Sequence, residues 1–325
     1  MDEKNLFKLS FPIDIINWNG KLITLKKDGE ILAQLETLAK AGISNVMLAG
    51  LHQEEPLAFN VFKEAARLGA MIQRAGFKIS SHHCILPVFA PLSQDQSGVH
   101  KTMAETVRFC SQLKARTMVF HPGRISGRHS NVQSIFAGFK TEVAANGVEK
   151  VIETAAENLQ YMAEAAAAAD MRIALENVGK FEPLADYKRL PELVNMANME
   201  NIGFCVDSGH AHAFGESLPQ WIELAGEKIF ETHFHDNHGI LAGTDLPPDS
   251  FIQSSKESDE HLFPGNGTIP WDKVIEALLK VNYRETVTFE VTVKPDDNAL
   301  GLYKSIISWW RDAELKARNN IEGQK

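Results

Sequence analysis

The sequence predicts a single closed (β/α)8 barrel (TIM barrel) of the α/β class, with parallel strands and its active site at the C-terminal strand ends. Three observations predict it. Short apolar runs recur about every 40 residues, eight in all, each followed by an amphipathic helical pattern. The runs are continuously apolar rather than alternating, as expected of parallel strands covered on both faces. No Gly-x-Gly-x-x-Gly turn follows the first strand, which favours a closed barrel over an open doubly wound sheet.

The first strand is expected over 7–13. Residues 29–41 place Ile31, Leu35, Leu38 and Ala39 on one helical face, and Gly42 ends that helix before a strand at 43–50. A helix over 57–75, closed by Gly76, leads to a third strand at 77–83, and a helix over 98–116 leads to the fourth at 117–123. Residues 124–147, with glycines at 127, 138 and 147 and with Arg124 and Arg128, read as a long loop at the barrel mouth or, equally, as one carrying a short helical decoration. An alanine-rich helix over 148–170, with Val151, Leu159 and Met162 inward, precedes the strand at 172–177. A helix over 184–199 around Pro191 precedes the strand at 202–210, and a short helix at 219–227 precedes FETHFHDN at 230–237. Residues 238–268 read as a second long mouth loop. A helix starting at Pro270 leads to the last strand, 287–292, and a terminal amphipathic helix covers 298–318. No composition break divides the chain, so 1–325 reads as one domain.

Composition narrows the function classes. No run approaches the roughly 18 apolar residues of a membrane span, and the N-terminal stretch has no secretory pattern. The three cysteines are far apart and lack CxxC spacing, which argues against a disulfide framework or a thiolate zinc site. A cytoplasmic protein is expected. The net charge of −9 argues weakly against a nucleic-acid partner, because phosphate binding leans on lysine and arginine.

The unusual residues lie at strand exits. Glu176, Asp207, His233 and Glu290 each end an apolar run, and a barrel brings such ends to one mouth. Three carboxylates converging without a basic side chain in those runs would repel one another unless their pKa values rise or a cation sits among them. Three oxygens and an imidazole nitrogen suit Mn, Zn, Mg or Co as divalent ions. Any one of the four could simply cap a helix or form a structural ion pair; all four at the same strand position weigh against that. His235 shares a face with His233 and is expected in an outer-shell hydrogen bond, with His212 and His238 as outer-shell or surface groups.

FHPG at 120–123, LEN at 175–177, VDSGHAHAFG at 206–215, HFHDN at 233–237, DEHLFPGNGTI at 259–269 and FEVT at 289–292 together resemble the motif series of the xylose isomerase-like superfamily. That group joins sugar isomerases and epimerases to endonuclease IV (AP endonuclease family 2). The resemblance implies a divalent-metal-dependent isomerase or epimerase of a sugar, sugar phosphate or sugar-like polyol or keto acid, working by proton transfer through a metal-stabilised enediolate. It implies one metal on Glu176, Asp207, His233 and Glu290, with Glu176 and Glu290 as the catalytic proton-transfer pair. His210 matches a substrate-oxygen ligand in the epimerases and a metal ligand in the endonuclease. His82, His121, Asp259 and His261 match the further ligands by which the endonuclease reaches three metals, with His83 the alternative to His82. The alternative function is therefore a multi-zinc phosphodiesterase acting on DNA. Homo-oligomers are a family expectation.

Overall fold

Eight apolar runs pair in parallel and close into a ring in the computed structural model, which describes residues 6–18, 23–52, 61–85, 92, 95–123, 132–179, 182–239, 259–291, 293 and 298–323. In chain order the strands are β1 (Lys8–Asp14), β2 (Ile16–Trp18), β3 (Ile23–Leu25), β4 (Asn45–His52), β5 (Lys78–Ile85), β6 (Thr117–Phe120), β7 (Arg172–Glu176), β8 (Ile202–Asp207), β9 (Ile229–His233) and β10 (Thr286–Thr288). The ring runs β1-β10-β9-β8-β7-β6-β5-β4, so it is the predicted (β/α)8 barrel. β2 and β3 form a separate antiparallel pair after the first strand that the apolar pattern did not predict.

The helices are α1 (Asp28–Lys40), α2 (Val61–Arg74), α3 (Gln96–Leu113), α4 (Val132–Asn146), α5 (Val148–Ala168), α6 (Arg189–Ala197), α7 (Ser208–Ala213), α8 (Leu218–Ala225), α9 (Trp271–Lys280) and α10 (Ala299–Glu322). Their ends follow local chemistry. Asp95 caps α3 by accepting the Ser97 N–H, and Lys114 ends it in the left-handed region at φ 66°. Among the described residues no helix is long and apolar enough to cross a membrane.

Several boundaries differ from the sequence reading, among them residues 208–210, expected at the end of a strand and found in α7. Residues 132–146, open between loop and helical decoration in the sequence, form α4, whose Phe139 and Val143 pack on the main core; residues 124–131, including Arg124 and Arg128, lie outside the described residues. α6 begins at Arg189 rather than near 184, because Pro191 has no N–H to donate and fits only a first turn, while Leu184 sits at φ 65°. The second mouth loop is described from 259 onward, where Leu262 forms a β-bridge with Asp236; residues 240–258 lie outside the described residues.

Strand alternation sorts the side chains into an outer face under the helices and an inner face within the ring. Ile173, Leu175, Phe204 and Val206 belong to the large core between strands and helices, whereas Val119, Ala174 and Cys205 form a small separate cluster with Phe230. Val119, Ala174, Cys205, Glu231 and Thr288 thus make one inner layer. Two residues further along each chain stand His121, Glu176, Asp207, His233 and Glu290, the layer that opens on the mouth.

Candidate metal centre at the barrel mouth

The four strand-exit residues meet. Glu176, Asp207, His233 and Glu290 each present a ligand atom, all within 4.8 Å of one another. His233 Nδ1 lies 3.0 Å from Glu176 Oε2 and 3.4 Å from Glu290 Oε2. Glu290 stands two residues beyond β10, held by its N–H donating to the Phe234 carbonyl at 3.1 Å. Asn177 fixes the neighbouring exit: its Nδ2 donates to the Asp207 carbonyl at 2.9 Å, and its Oδ1 accepts the Asp207 N–H at 2.8 Å and Trp221 Nε1–H at 3.0 Å. Asp207 Oδ1 in turn accepts the His210 N–H at 2.7 Å, capping α7.

Histidines complete the mouth. His83 Nε2 donates to Glu176 Oε2 at 3.0 Å, and His121 Nε2 lies 3.6 Å from Glu176 Oε1 while its Nδ1 faces Glu182 Oε1 at 3.1 Å. His210 Nε2 and His261 Nε2 lie 3.7 Å and 3.3 Å from the two oxygens of Asp259. Their other nitrogens donate to backbone carbonyls, His210 Nδ1 to Asn177 at 3.1 Å and His261 Nδ1 to Glu290 at 2.9 Å. These bonds fix both rings by their Nδ1–H groups and turn both Nε2 atoms inward.

One expected residue is placed elsewhere. His82 points out of the ring, donates from Nδ1 to the Leu48 carbonyl at 3.0 Å and packs edge-on to Phe109. Alternation lets only one of the pair enter the ring, and it is His83. His235 lies in the mouth as its shared face with His233 suggested, fully buried with Nε2 3.2 Å from Asp207 Oδ1, but neither ring nitrogen makes the expected hydrogen bond among the described residues. Glu182 orients His121 from a turn with no periodic pattern, so nothing in the sequence pointed to it.

The electrostatics differ from bare carboxylate repulsion, because every ion pair of Glu176, Asp207, Asp259 and Glu290 among the described residues is with a histidine. Burial raises the Glu176 carboxyl, but His233, His121 and His83 outweigh it and hold the group well below the usual range. Burial likewise opposes ionisation of Glu290, and His233 brings it down to about 2. Burial disfavours charge on His121 and His261, yet Glu182 and Glu176 for the first and Asp259 and Glu290 for the second push them up to about 9. His210, buried against Asp207, Asp259 and Glu176, is carried well above the ordinary range.

The donor set fits a metal. Glu176 Oε1, Asp207 Oδ2, Asp259 Oδ1 and both ring nitrogens of His233 and His235 are buried without a hydrogen-bond partner among the described residues. Buried polar atoms rarely go unsatisfied. Tetrahedral ligands at about 2.0–2.1 Å from a zinc ion stand about 3.3 Å from each other. The contacts of 3.0, 3.4 and 3.2 Å from His233 and His235 match that ligand-to-ligand spacing while missing hydrogen-bond geometry.

Comparison with known proteins places this geometry in context. The inosose isomerase of Bacillus subtilis (strain 168) is 24% identical over 196 residues, 55% of this chain and 66% of that protein. The probable endonuclease 4 of Mycoplasma capricolum subsp. capricolum is 21% identical over 194 residues, 56% of this chain and 55% of its own length. Both matches span less than two thirds of the relative. Among solved structures, L-ribulose 3-epimerase superimposes with a TM-score of 0.68 at 16% identity, over 98% of this chain and 97% of that one. The zinc-bound IOLI protein gives 0.60 at 18% identity, over 95% and 97%. These structural likenesses speak to the fold. The model of the xylose isomerase-like TIM barrel family matches residues 35–313, most of the chain and every residue of the mouth, and the chain belongs to that family.

Proposed function

We propose that this protein is a divalent-metal-dependent isomerase or epimerase of a sugar or related polyol. The observation that carries the reading is the facing pair Glu176 and Glu290, both within 3.4 Å of His233 Nδ1, in a mouth whose ligand atoms suit one cation. Relatives named for isomerase and epimerase activities on an inosose and on L-ribulose support it. Glu176, Asp207, His233 and Glu290 would hold the metal, with Mn, Zn, Mg or Co as candidates. When bound, it supplies Lewis-acid polarisation of a substrate carbonyl and its neighbouring hydroxyl.

The chain's own groups then divide the proton work. One of Glu176 and Glu290 enters the cycle ionised and removes the proton beside the carbonyl; the other, across the substrate, enters it protonated and gives that proton to the opposite face or the adjacent carbon of the enediolate, and exchange with solvent resets the pair. Glu290 at about 2 is a weak base toward water, so transfer requires a substrate C–H made acidic by the polarised carbonyl in a dry mouth. His83 and His121 orient Glu176 from either side.

The test is solvent-deuterium incorporation and turnover on a panel of ketoses and inososes. Glu290→Gln keeps the side-chain shape and removes the base, and turnover should fall by about 10³-fold or more, with unchanged circular dichroism. Full activity in that variant would end the assignment.

A second reading, a multi-metal phosphodiesterase, is favoured by the ligand-type residues around the first four: His83, His121, His210, His235, Asp259 and His261. Activity on an abasic-site DNA duplex, absent on sugars, would select it.

A further inference from the structure

The outer face of β5 carries donors that the mouth does not use. His82 and Cys84 stand two residues apart, so both point away from the ring, while His83 between them turns in to Glu176. The helix α3 brings Cys110 onto them: its Sγ lies 3.6 Å from Cys84 Sγ, and the neighbouring Phe109 packs edge-on to the His82 ring. A ring nitrogen of His82 and the two sulfurs all lie within 4.8 Å of one another. None of the three residues is more than 1% exposed. CxxC spacing is absent from the chain; a strand pair two residues apart and a residue from the covering helix supply the proximity instead.

The donors are held as ligands are held. His82 Nδ1 donates to the Leu48 carbonyl at 3.0 Å, the kind of backbone bond that orients a ligating imidazole, and the lone pair is thereby left on Nε2. Cys84 Sγ has only weak partners, the His82 carbonyl and Cys110 Sγ, each at 3.6 Å. Two sulfurs at about 2.3 Å from one ion stand about 3.8–4.0 Å from each other, so an opening of a few tenths of an ångström seats an ion between them. The chemistry of the set selects the ion. A structural zinc takes four ligands, and no further His, Cys, Asp or Glu of the described residues joins this group. Two thiolates and one imidazole without a fourth donor suit copper(I), a soft ion.

We propose that Cys84, Cys110 and His82 bind one copper(I) ion between β5 and α3, outside the mouth. On binding, the two thiols release their protons to solvent and the copper keeps its oxidation state. The ion clamps to its covering helix the strand that presents His83 to Glu176.

The experiment titrates the reduced, metal-free full chain without oxygen with copper(I), added as its acetonitrile complex, against the copper(I) chelator bicinchoninate. X-ray absorption at the copper edge then counts sulfur neighbours. Cys84→Ala, Cys110→Ala and Cys205→Ala are compared with wild type, and circular dichroism of the metal-free proteins shows whether each folds. The expected result is one copper(I) per wild-type chain withheld from the chelator, with two sulfurs and one nitrogen around it. That copper should be lost in Cys84→Ala and Cys110→Ala and kept in Cys205→Ala. The proposal is overturned if wild type withholds no copper, or if fewer than two sulfurs surround it. Retention in folded Cys84→Ala and Cys110→Ala, or loss in folded Cys205→Ala, would overturn it as well. Should the first two variants fail to fold, the wild-type sulfur count and the Cys205→Ala titration still decide. None of these outcomes touches the isomerase reading, which the sugar panel tests separately.

Discussion

Asp236 offers the most quantitative test of how the mouth is held. Its side chain is fully buried and accepts four hydrogen bonds. Oδ1 takes the N–H groups of Asn237 at 2.9 Å and Ile269 at 3.2 Å; Oδ2 takes Gly265 N–H at 2.8 Å and Trp271 Nε1–H at 2.7 Å. With the two backbone bonds between Asp236 and Leu262, this carboxylate fastens 262–271 to the end of β9. Asp259 and His261, which enter the mouth, stand just before that segment. Asp236→Asn removes the charge and turns an amide nitrogen toward two donors. Two hydrogen bonds to a charged group, about 1.5–3 kcal/mol each, are lost, less what the amide retains, for a net cost of about 3–5 kcal/mol. Unfolding entropy of about 2.1 cal/mol/K per residue over a chain of this length gives about 0.7 kcal/mol/K, so the melting temperature should fall by about 4–7 °C. Differential scanning calorimetry on metal-free protein measures this without linkage to ion binding. A variant melting within about 1 °C of wild type would show that the four bonds do not anchor the segment, against the net cost reasoned here.

Further outcomes follow from the same geometry. Chelation should lower the melting temperature, by about 4 °C relative to protein at a metal concentration of 100 times Kd, and Zn²⁺ should restore it. His121 and His261 stand at about 9 in the metal-free mouth beside the ligand carboxylates, so a cation held there should drive off their protons: zinc uptake at pH 7 should release protons into a weakly buffered indicator solution, and affinity should rise with pH up to that range; uptake without proton release would refute a cation bound beside these two histidines. Burial first, then the neighbouring His83, bring His82 down from 6.5 to about 3, so the unfolded chain binds the proton more tightly. Its contribution to stability is whole above pH 6.5 and is lost as pH falls toward 3, at about 1.4 kcal/mol per pH unit, and urea titrations should show a shallower acid slope in His82→Asn. Gly209→Ala should displace the His235 ring and cost about 1–3 kcal/mol, which calorimetry on metal-free protein reads.

Period and punctuation in the sequence carried the barrel. Apolar runs such as IGFCVD and RIALE have no polar face to offer water, so they must be covered on both sides, and the intervening helices cover them. The same alternation put Glu176, Asp207, His233 and Glu290 at one rim. Local chemistry that depends on a partner was harder to read. Residues 132–146 carry glycine and polar residues that left loop and helix equally open, and packing against α5 makes them helix. His82 and His83 are equivalent as letters, and only the register of β5 against β4 and β6 turns the second inward and buries the first beneath α3.

The sequence by itself determined the ring of strands and the residues at its rim, because burial on two faces and a two-residue side-chain period are properties of the chain alone. Tertiary structure decided which histidines join the carboxylates and at what spacing. The His83 approach to Glu176, the Glu182 hold on His121 and the His235 stack on His261 each join residues far apart in the chain or leave a buried nitrogen to be satisfied. A contact of that kind depends on distance and direction between side chains, which only the closed barrel sets.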